Sequence, residues 1–394
     1  MGVAATTPGG RGGEIVRVTT LAATGPGSFL EAVKKKGPRI VVFEVGGIID
    51  LAESTVRITE PNLTIAGQTA PAPGITLIRG GIDITTHDVV VRHIRVRPGD
   101  GGRARLSGND YDAISTIGAH DVIVDHCSLT WATDENLSAS GPRFTGKTPD
   151  EWRAGTSHRI TFSNNIIAEG LAESVHVKGE HSKGSLIHDN VSDILIINNL
   201  YAHEHERSPL FKGGVRGAIV NNLIYNPGHR AIHYNLIAEE WKDHAYQTGE
   251  MTVIGNVLRG GQSTVGKLPL VTVGGSGDLA LYERDNIAVD LFGSALPMRG
   301  SYTNAPVKLL KLAPPVLPGV APMPAVQVQD YVIKNAGARN WERDFHDARV
   351  VADTIEGRGF IIDSQSVWGG YPKDALTTQS FDPAKWDLET MTAK

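Results

Sequence analysis

The chain has 394 residues, of which 40% are apolar and 21% charged, and its formal net charge is −5 at pH 7. This balance excludes both a strongly basic nucleic-acid-binding protein and a disordered acidic chain. The single cysteine, Cys127, excludes an internal disulfide framework and a cysteine-based zinc site. No apolar run approaches the roughly 18 residues of a membrane-spanning helix.

The first predicted element is a short helix near residues 28–36. Ser28 and Glu31 have the spacing of a capping box and precede the apolar residues Ala32 and Val33. Such a helix can cover the open end of a repetitive fold or lie on the surface, and the pattern fits both.

One β-rich unit, interrupted by polar residues and followed by a turn, recurs along the chain. Its copies are VVVRHIRVR (89–97), VIVDHCSLT (122–130), RITFSNNIIA (159–168), ILIINNLYA (194–202), AIVNNLIYN (218–226) and MTVIGNVLR (251–259). Units repeated every 20–50 residues are typical of solenoids and propellers. Because the runs are β-branched and no helical periodicity separates them, we predict an all-β solenoid, a parallel β-helix.

Stacked coils place equivalent residues above one another. Aligning the copies on their second polar residue makes six positions equivalent, namely His93, His126, Asn165, Asn199, Asn222 and Asn256. The asparagines are predicted to form an internal ladder of amide hydrogen bonds, which satisfies their buried polar groups.

The repeat ends near residue 290. Six prolines then exclude a regular helix or central strand between them: Pro306, Pro314, Pro315, Pro318, Pro322 and Pro324. We predict a β-helix domain over residues 1–300, including the cap, and a C-terminal extension over 301–394. The extension is expected to pack along the coil, with a helix near 348–355, or to form a small separate domain.

Four stretches are rich in ionisable residues: 110–112, 125–136, 176–183 and 203–212. They adjoin consecutive strands of the predicted coil, so stacking is expected to bring them to one flank.

Eight further segments follow one another in a distinctive order: GSFLEAV (27–33), IVVFEVGG (40–47), LTIAGQTAP (63–71), DAI (112–114), VDHCS (124–128), HSKGSLI (181–187), RSPLFK (207–212) and IIDSQ (361–365). Together they resemble the corresponding segments of pectate lyases (polysaccharide lyase family 1). The resemblance covers about residues 26–370. It implies a single-stranded right-handed parallel β-helix with an N-terminal capping helix and a C-terminal tail packed on the coil.

The resemblance also implies calcium-assisted β-elimination of α-1,4-linked polygalacturonate, which yields 4,5-unsaturated oligogalacturonides. It assigns proton abstraction to Arg207 and the clamping of a substrate carboxylate to Lys183. Because the pKa of an arginine side chain lies above 12, positioning and charge stabilisation are the alternative role of Arg207. The candidate substrate-binding residues are Lys212, His181, Lys178, His176 and Trp131, and the candidate Ca²⁺ ligands are Asp134, Glu135 and Asp112. We expect a secreted monomer whose leader is absent from this sequence and whose partner is an acidic polysaccharide, not nucleic acid or membrane.

Two positions depart from the family pattern. Lys212 stands where the family has a second arginine, and Ser138 stands where it has another calcium-binding aspartate. Lysine keeps the charge but loses bidentate carboxylate recognition. Calcium is therefore expected either on the protein alone or mainly together with substrate.

Alternatives remain open from the sequence. The protein could be a lyase for another polyuronate, a β-helix glycoside hydrolase using Asp125, Asp134 and Glu135, or a non-catalytic carbohydrate-binding solenoid. His203 and His205 share one strand face and could hold zinc, although no third ligand has a recognisable spacing. Asp125 and His126 are interpreted as structural, and Cys127 as a small buried residue.

Overall fold

A computed structural model describes residues 2–314 and 319–394, so Pro315 and Pro318 of the proline-rich segment lie outside the described residues. Three long sheets, built almost entirely from parallel strands, wind around one core. The first sheet contains Glu14–Val18, Arg39–Phe43, Leu63–Ala66, His87–Arg92, His120–Asp125, His158–Ser163, Ser192–Ile197, Arg216–Val220, Gly249–Ile254, Leu279–Arg284 and Val307–Leu309.

The second sheet contains Val45–Asp50, Ile75–Ile78, Ile94–Arg97, Ser128–Thr130, Ile166–Ala168, Leu200–Ala202, Leu223–Tyr225, Val257–Arg259 and Ile287–Val289, with Thr377–Thr378 added antiparallel at its edge. The third contains Val56–Ile58, Ile82–Ile84, Ile114–Ile117, Leu137–Ser140, Leu186–Ile187, Leu210–Lys212, Ile232–Leu236, Val271–Gly275 and Arg299–Ser301. The predicted parallel β-helix is confirmed.

Each repeated run in the sequence spans two strands and the corner between them. In the second copy, His126 separates His120–Asp125 of the first sheet from Ser128–Thr130 of the second and has φ of 50°. Asn164, Asn198 and Asn221 occupy the same corner with φ of 53°, 60° and 53°. Asparagine tolerates this left-handed conformation better than most residues, which explains the first asparagine of each pair.

The second asparagine of each pair forms the predicted ladder inside the coil. The amide nitrogen Nδ2 of Asn165 donates to Oδ1 of Asn199 at 2.9 Å, and the same contact joins Asn199 to Asn222 at 2.9 Å and Asn222 to Asn256 at 3.0 Å. Asn286 adds a further rung at 3.2 Å. We call Asn165, Asn199, Asn222, Asn256 and Asn286 the asparagine ladder.

The predicted alignment was wrong by one residue in the first two copies. Asp125 pairs with Ser163, so His126 is equivalent to Asn164, and His93 stacks on His126 with ring centroids 5.0 Å apart. Cys127 occupies the ladder position instead, and its backbone N–H donates to Oδ1 of Asn165 at 2.8 Å. Cys127 is fully buried, as expected, and burial raises the pKa of its thiol to about 12.

The N-terminal end of the coil is covered by helix α1 (Phe29–Lys34). Ser28 caps it, since its hydroxyl accepts a hydrogen bond from the Glu31 N–H at 3.3 Å. Phe29, Ala32 and Val33 are buried in the main core, so the predicted capping helix is confirmed.

Two short helices lie in loops, α2 (Pro149–Gly155) and α3 (Ala238–Trp241), and two longer ones belong to the tail, α4 (Ala325–Asn335) and α5 (Phe345–Glu356). Both tail helices bury apolar residues against the outer side of the second sheet. The helix expected at 348–355 is α5, which begins earlier because Asp344 caps it, whereas α4 was not predicted.

Buried ion pairs join the tail to the coil. Arg97 of the second sheet is fully buried and contacts Asp344 at 2.6 Å and Asp347 at 2.8 Å. The division of the chain at residue 300 stays a prediction. Among the described residues, the helices are all too short or too polar to cross a membrane.

Candidate active site

A column of charged residues lies where the chain turns from the second sheet into the third. Isolated parallel bridges pair Glu135 with Lys183 and Lys183 with Glu206, so these residues stack on successive coils. Asp112 lies one coil before Glu135, whose backbone N–H donates to the Asp112 carboxylate at 3.0 Å. We call Asp112, Glu135, Lys183 and Glu206 the charged column.

Two arginines connect this column laterally. Arg207 donates from Nη1 to Glu135, and Arg230 donates from Nη1 to Glu206. Lys183 Nζ also donates to Glu206, at 2.5 Å. Arg207 has φ of 67°, a left-handed conformation that is costly for a residue with a Cβ atom and that many corners of this coil also adopt.

A groove of about 440 Å³ lies beside the column. Alternation along Leu210–Lys212 points Phe211 into the core and places Leu210 and Lys212 on the groove side. Six of the predicted site residues line the groove: Asp134, Glu135, Lys178, His181, Arg207 and Lys212. Lys183 borders it through Glu206 but is itself buried.

Three carboxylates converge at one end of the groove. One oxygen each of Asp112, Asp134 and Glu135 lies within 4.8 Å of the other two. Burial and the neighbouring charge of Asp134 raise the pKa of Asp112 to about 7. Burial and the charge of Asp112 likewise raise the pKa of Glu135 well above its ordinary value, against the opposing effect of Arg207.

This donor set fits a hard cation. Calcium binds carboxylate oxygens, and an ion among these three would relieve the mutual repulsion that their raised pKa values reflect. Ser138 also borders this end of the groove, with its buried hydroxyl oxygen lacking a hydrogen-bond partner among the described residues.

Two histidines lie beside the carboxylates. His181 Nε2 is 3.3 Å from Asp134 Oδ1, and His176 Nε2 is 3.6 Å from Asp110 Oδ2. Burial tends to raise the pKa of Asp134, but hydrogen bonding to His181 and nearby histidine charge lower it to about 2. The two imidazole rings stack with centroids 3.5 Å apart and both are buried. His181 lines the groove, and one ring nitrogen of each histidine lies within 4.8 Å of an Asp134 carboxylate oxygen.

Trp131, a candidate substrate-binding residue, does not line the groove. Trp131 is fully buried, and its Nε1 donates to Glu169 at 3.1 Å. The ring packs edge-on against His346 of α5 at 4.7 Å. The tail therefore contributes to burying Trp131, which a sugar in the groove cannot reach.

The positions of Asp125, His203 and His205 test the hydrolase and zinc-site hypotheses. Asp125 lies at the corner between the first and second sheets, where it accepts hydrogen bonds from Ser163 at 2.7 Å and Asn164 at 3.0 Å. It does not join Asp134 and Glu135 as a hydrolase pair would require. His203 is fully buried and bonded to Asn226 at 2.9 Å, whereas His205 contacts Glu180 at 3.2 Å, so the two do not form a common metal site.

Several groove residues were not singled out from the sequence. Glu206 directly precedes Arg207, and its place in an ionisable stretch was the available signal. Arg143 and Arg230 lie in loops and Glu240 lies in α3, and none of them belongs to a motif that could have identified it.

Comparison with known proteins places the chain in a family. No family model matches the chain. A probable pectate lyase C from Neosartorya fischeri is 32% identical over 372 residues, which cover 92% of this chain and 78% of the relative. The chain belongs to the pectate lyase family.

Other pectate lyases match over shorter segments. The probable pectate lyase C of Aspergillus terreus is 35% identical over 264 residues, covering 67% of this chain and 54% of the relative. That of Emericella nidulans is 37% identical over 228 residues, covering 58% and 47%. The alignments thus span about half the length of these two relatives.

Solved structures confirm the right-handed β-helix of pectate lyases. A thermostable pectate lyase superposes with a TM-score of 0.60 at 16% identity, covering 86% of this chain and 97% of that one. A pectate lyase bound to a hexasaccharide gives 0.57 at 15% identity, covering 86% and 96%. At such low identity these likenesses concern the fold alone.

Proposed function

We propose that this protein is a secreted pectate lyase that cleaves α-1,4-linked polygalacturonate by calcium-assisted β-elimination, giving 4,5-unsaturated oligogalacturonides. The observation that carries the proposal is the convergence of Asp112, Asp134 and Glu135 within 4.8 Å, two of which, Asp134 and Glu135, line the same groove as Arg207. Family membership supports it. Secretion, a monomeric state, and the absence of nucleic-acid and membrane partners stay predictions.

The elimination transfers the C5 proton to a base, which is Arg207 in its neutral form or a hydroxide ion from solvent. The C5–H electron pair forms the C4=C5 double bond, the C4–O4 bond breaks, and O4 takes a proton from water. A Ca²⁺ ion held by Asp112, Asp134 and Glu135 would supply the positive charge that neutralises the uronate carboxylate and acidifies C5–H. In the proposal Arg207 lies at C5, where its guanidinium stabilises the negative charge that develops in the transition state.

Proton abstraction by Arg207 would require a change in its protonation state. A guanidinium normally stays protonated in proteins, and its ion pair with Glu135 favours the charged form. Arg207 would have to leave this ion pair and lose a proton before it could accept one from C5. Charge stabilisation needs neither step.

The other basic residues are proposed to bind substrate carboxylates along the groove. Lys178, His181 and Lys212 all line it. Lys183, held by Glu206, is proposed to clamp a uronate, which requires its ammonium to exchange Glu206 for substrate.

The test is ultraviolet absorbance from the conjugated C4=C5 double bond, recorded on polygalacturonate with calcium and with a chelator. Rising absorbance that the chelator abolishes is the expected result. Absorbance that is insensitive to the chelator would contradict the role of calcium, and absorbance on alginate alone would indicate another polyuronate. New reducing ends without absorbance would indicate a hydrolase, whereas binding without any product would indicate a carbohydrate-binding solenoid.

A further inference from the structure

One edge of the groove carries a basic residue, Lys212, that cannot reach a ligand freely. Only 6% of the Lys212 side chain is exposed, and its ammonium donates to Glu240 of α3. Its charge is therefore balanced and largely covered.

A second cation lies on the other side of the same glutamate. Arg143, in the loop between Leu137–Ser140 and α2, places Nη2 3.1 Å from Glu240 Oε2, and 30% of its side chain is exposed. It lines the groove and also the adjoining hollow of about 520 Å³ that contains Asp112 and Glu135. Arg143 is thus the more accessible cation at this edge.

Hydrogen bonds to Asp189 and His188 hold the Arg143 guanidinium in place. Its Nε donates to Asp189 at 2.9 Å, and Asp189 is fully buried and also accepts from Trp241 Nε1 at 2.8 Å and the Gly213 N–H at 3.1 Å. Nη2 also lies 3.0 Å from His188 Nε2. Burial lowers the pKa of His188 to about 4, so the neutral ring can accept this hydrogen bond.

This support fixes the guanidinium plane while leaving one end available. Within residues 2–314 and 319–394, no hydrogen bond involves Nη1 of Arg143. A planar guanidinium binds a carboxylate through two parallel N–H groups, which a lysine ammonium cannot do.

We infer that Arg143 is a substrate-binding residue that recognises a uronate carboxylate at this edge of the groove. It supplies the bidentate contact that Lys212 cannot make, through Nη1 and the Nη2 now facing Glu240. The inference rests on the proposed function. It makes Arg143 selective for an unesterified uronate, because a methyl ester has neither the charge nor the second free oxygen.

The test compares Arg143→Ala and Arg143→Lys with the wild-type chain on polygalacturonate and on highly methyl-esterified pectin. Loss of a charge-assisted pair is expected to raise KM about 10- to 100-fold on polygalacturonate for Arg143→Ala, with kcat within about threefold. Arg143→Lys should raise KM several-fold, since lysine keeps the charge but lacks the two parallel N–H groups of the guanidinium. Both effects should shrink on esterified pectin, and Lys212→Arg should partly restore affinity in Arg143→Ala.

Arg216→Ala is the matched control, because Arg216 pairs with Glu250 at 3.1 Å on the first sheet and does not line the groove. Thermal unfolding reports whether Arg143→Ala folds once Asp189 has lost its partner. If it does not, Arg143→Lys carries the test alone.

A KM within twofold of wild type in a folded Arg143 variant would overturn the inference, as would an equal rise on both substrates. Calorimetric binding of trigalacturonate keeps this outcome separate from failure of the proposed function. A wild-type chain without lyase activity would refute that function, while weaker trigalacturonate binding by Arg143→Ala would still support the role of Arg143.

Discussion

Two stacks run along the same coil and differ in their chemistry. The asparagine ladder repeats one neutral side chain, and each amide joins the next by hydrogen bonds of 2.9–3.2 Å. The charged column brings acids and one lysine together at the edge of a groove, where Asp112 and Glu135 repel each other. The ladder satisfies its own polar groups, so its role is stability. The column holds repulsive charge, an arrangement expected where a ligand offsets it.

The largest expected effect is a loss of activity at the charged column, which the asparagine ladder should not show. Arg207→Ala should lower kcat on polygalacturonate by about 1,000-fold, because it removes the cation closest to the developing charge. Arg207→Lys should lose less if charge stabilisation is the main role. Steady-state absorbance assays measure both, with Arg216→Ala as the control.

Residual activity above a tenth of wild type in Arg207→Ala would contradict the assignment. Equal inactivity of the alanine and lysine variants would favour proton abstraction over charge stabilisation.

The second prediction concerns how the stability of the folded protein depends on pH. Burial tends to raise the pKa of Glu206, but the charge and hydrogen bond of Lys183 more than reverse this, so the pKa lies below its ordinary value. Its stabilising contribution is present above the unfolded-state pKa of about 4.3 and is lost as the pH falls towards the folded value. Glu206→Gln should cost about 3 kcal/mol at pH 7, since it leaves buried Lys183 unpaired.

Thermal unfolding between pH 3 and 7 checks this prediction. The stability difference between wild type and Glu206→Gln should narrow at the acid end. A difference that is constant across the range would show that the carboxylate charge contributes nothing.

The third prediction is that the stability contributed by the asparagine ladder, unlike that of Glu206, does not depend on pH. Asn222→Ala removes the acceptor of one Asn199 amide N–H and the amide donor to the carbonyl of Ile196, which should destabilise the protein by about 2 kcal/mol at every pH. Folded Asn222→Ala should keep the wild-type kcat. Asn286→Ala, at the half-buried end of the ladder, is the matched control and should cost less. Equal losses would show that the internal rungs are not worth more than the end.

The smallest effect is expected at the groove wall. Lys178 is exposed, so Lys178→Ala should raise KM on polygalacturonate only about threefold. The difference should disappear at high salt, which screens exposed charges. A change larger than tenfold would mean that Lys178 makes a desolvated contact with substrate.

The two stacks also differ in how far the sequence could predict them. The ladder was found because the same residue type recurs beside apolar β-branched runs, and only its first two copies were misaligned by one residue. The column could not be found in this way. The sequence indicates its members one at a time, partly through family resemblance. Glu206 lies next to Arg207, but only its place in an ionisable stretch points to it.

Sequence by itself determined the parallel β-helix, the asparagine ladder, α1 and α5, because strand alternation, capping and repeated corners are local patterns. Tertiary structure alone decided which charges meet. Arg207 reaches Glu135, 72 residues earlier, and Arg143 reaches Glu240 and buried Asp189 from different loops. It also decided that α5 covers Trp131. These contacts depend on loop lengths and on the packing of the tail, which no local pattern records.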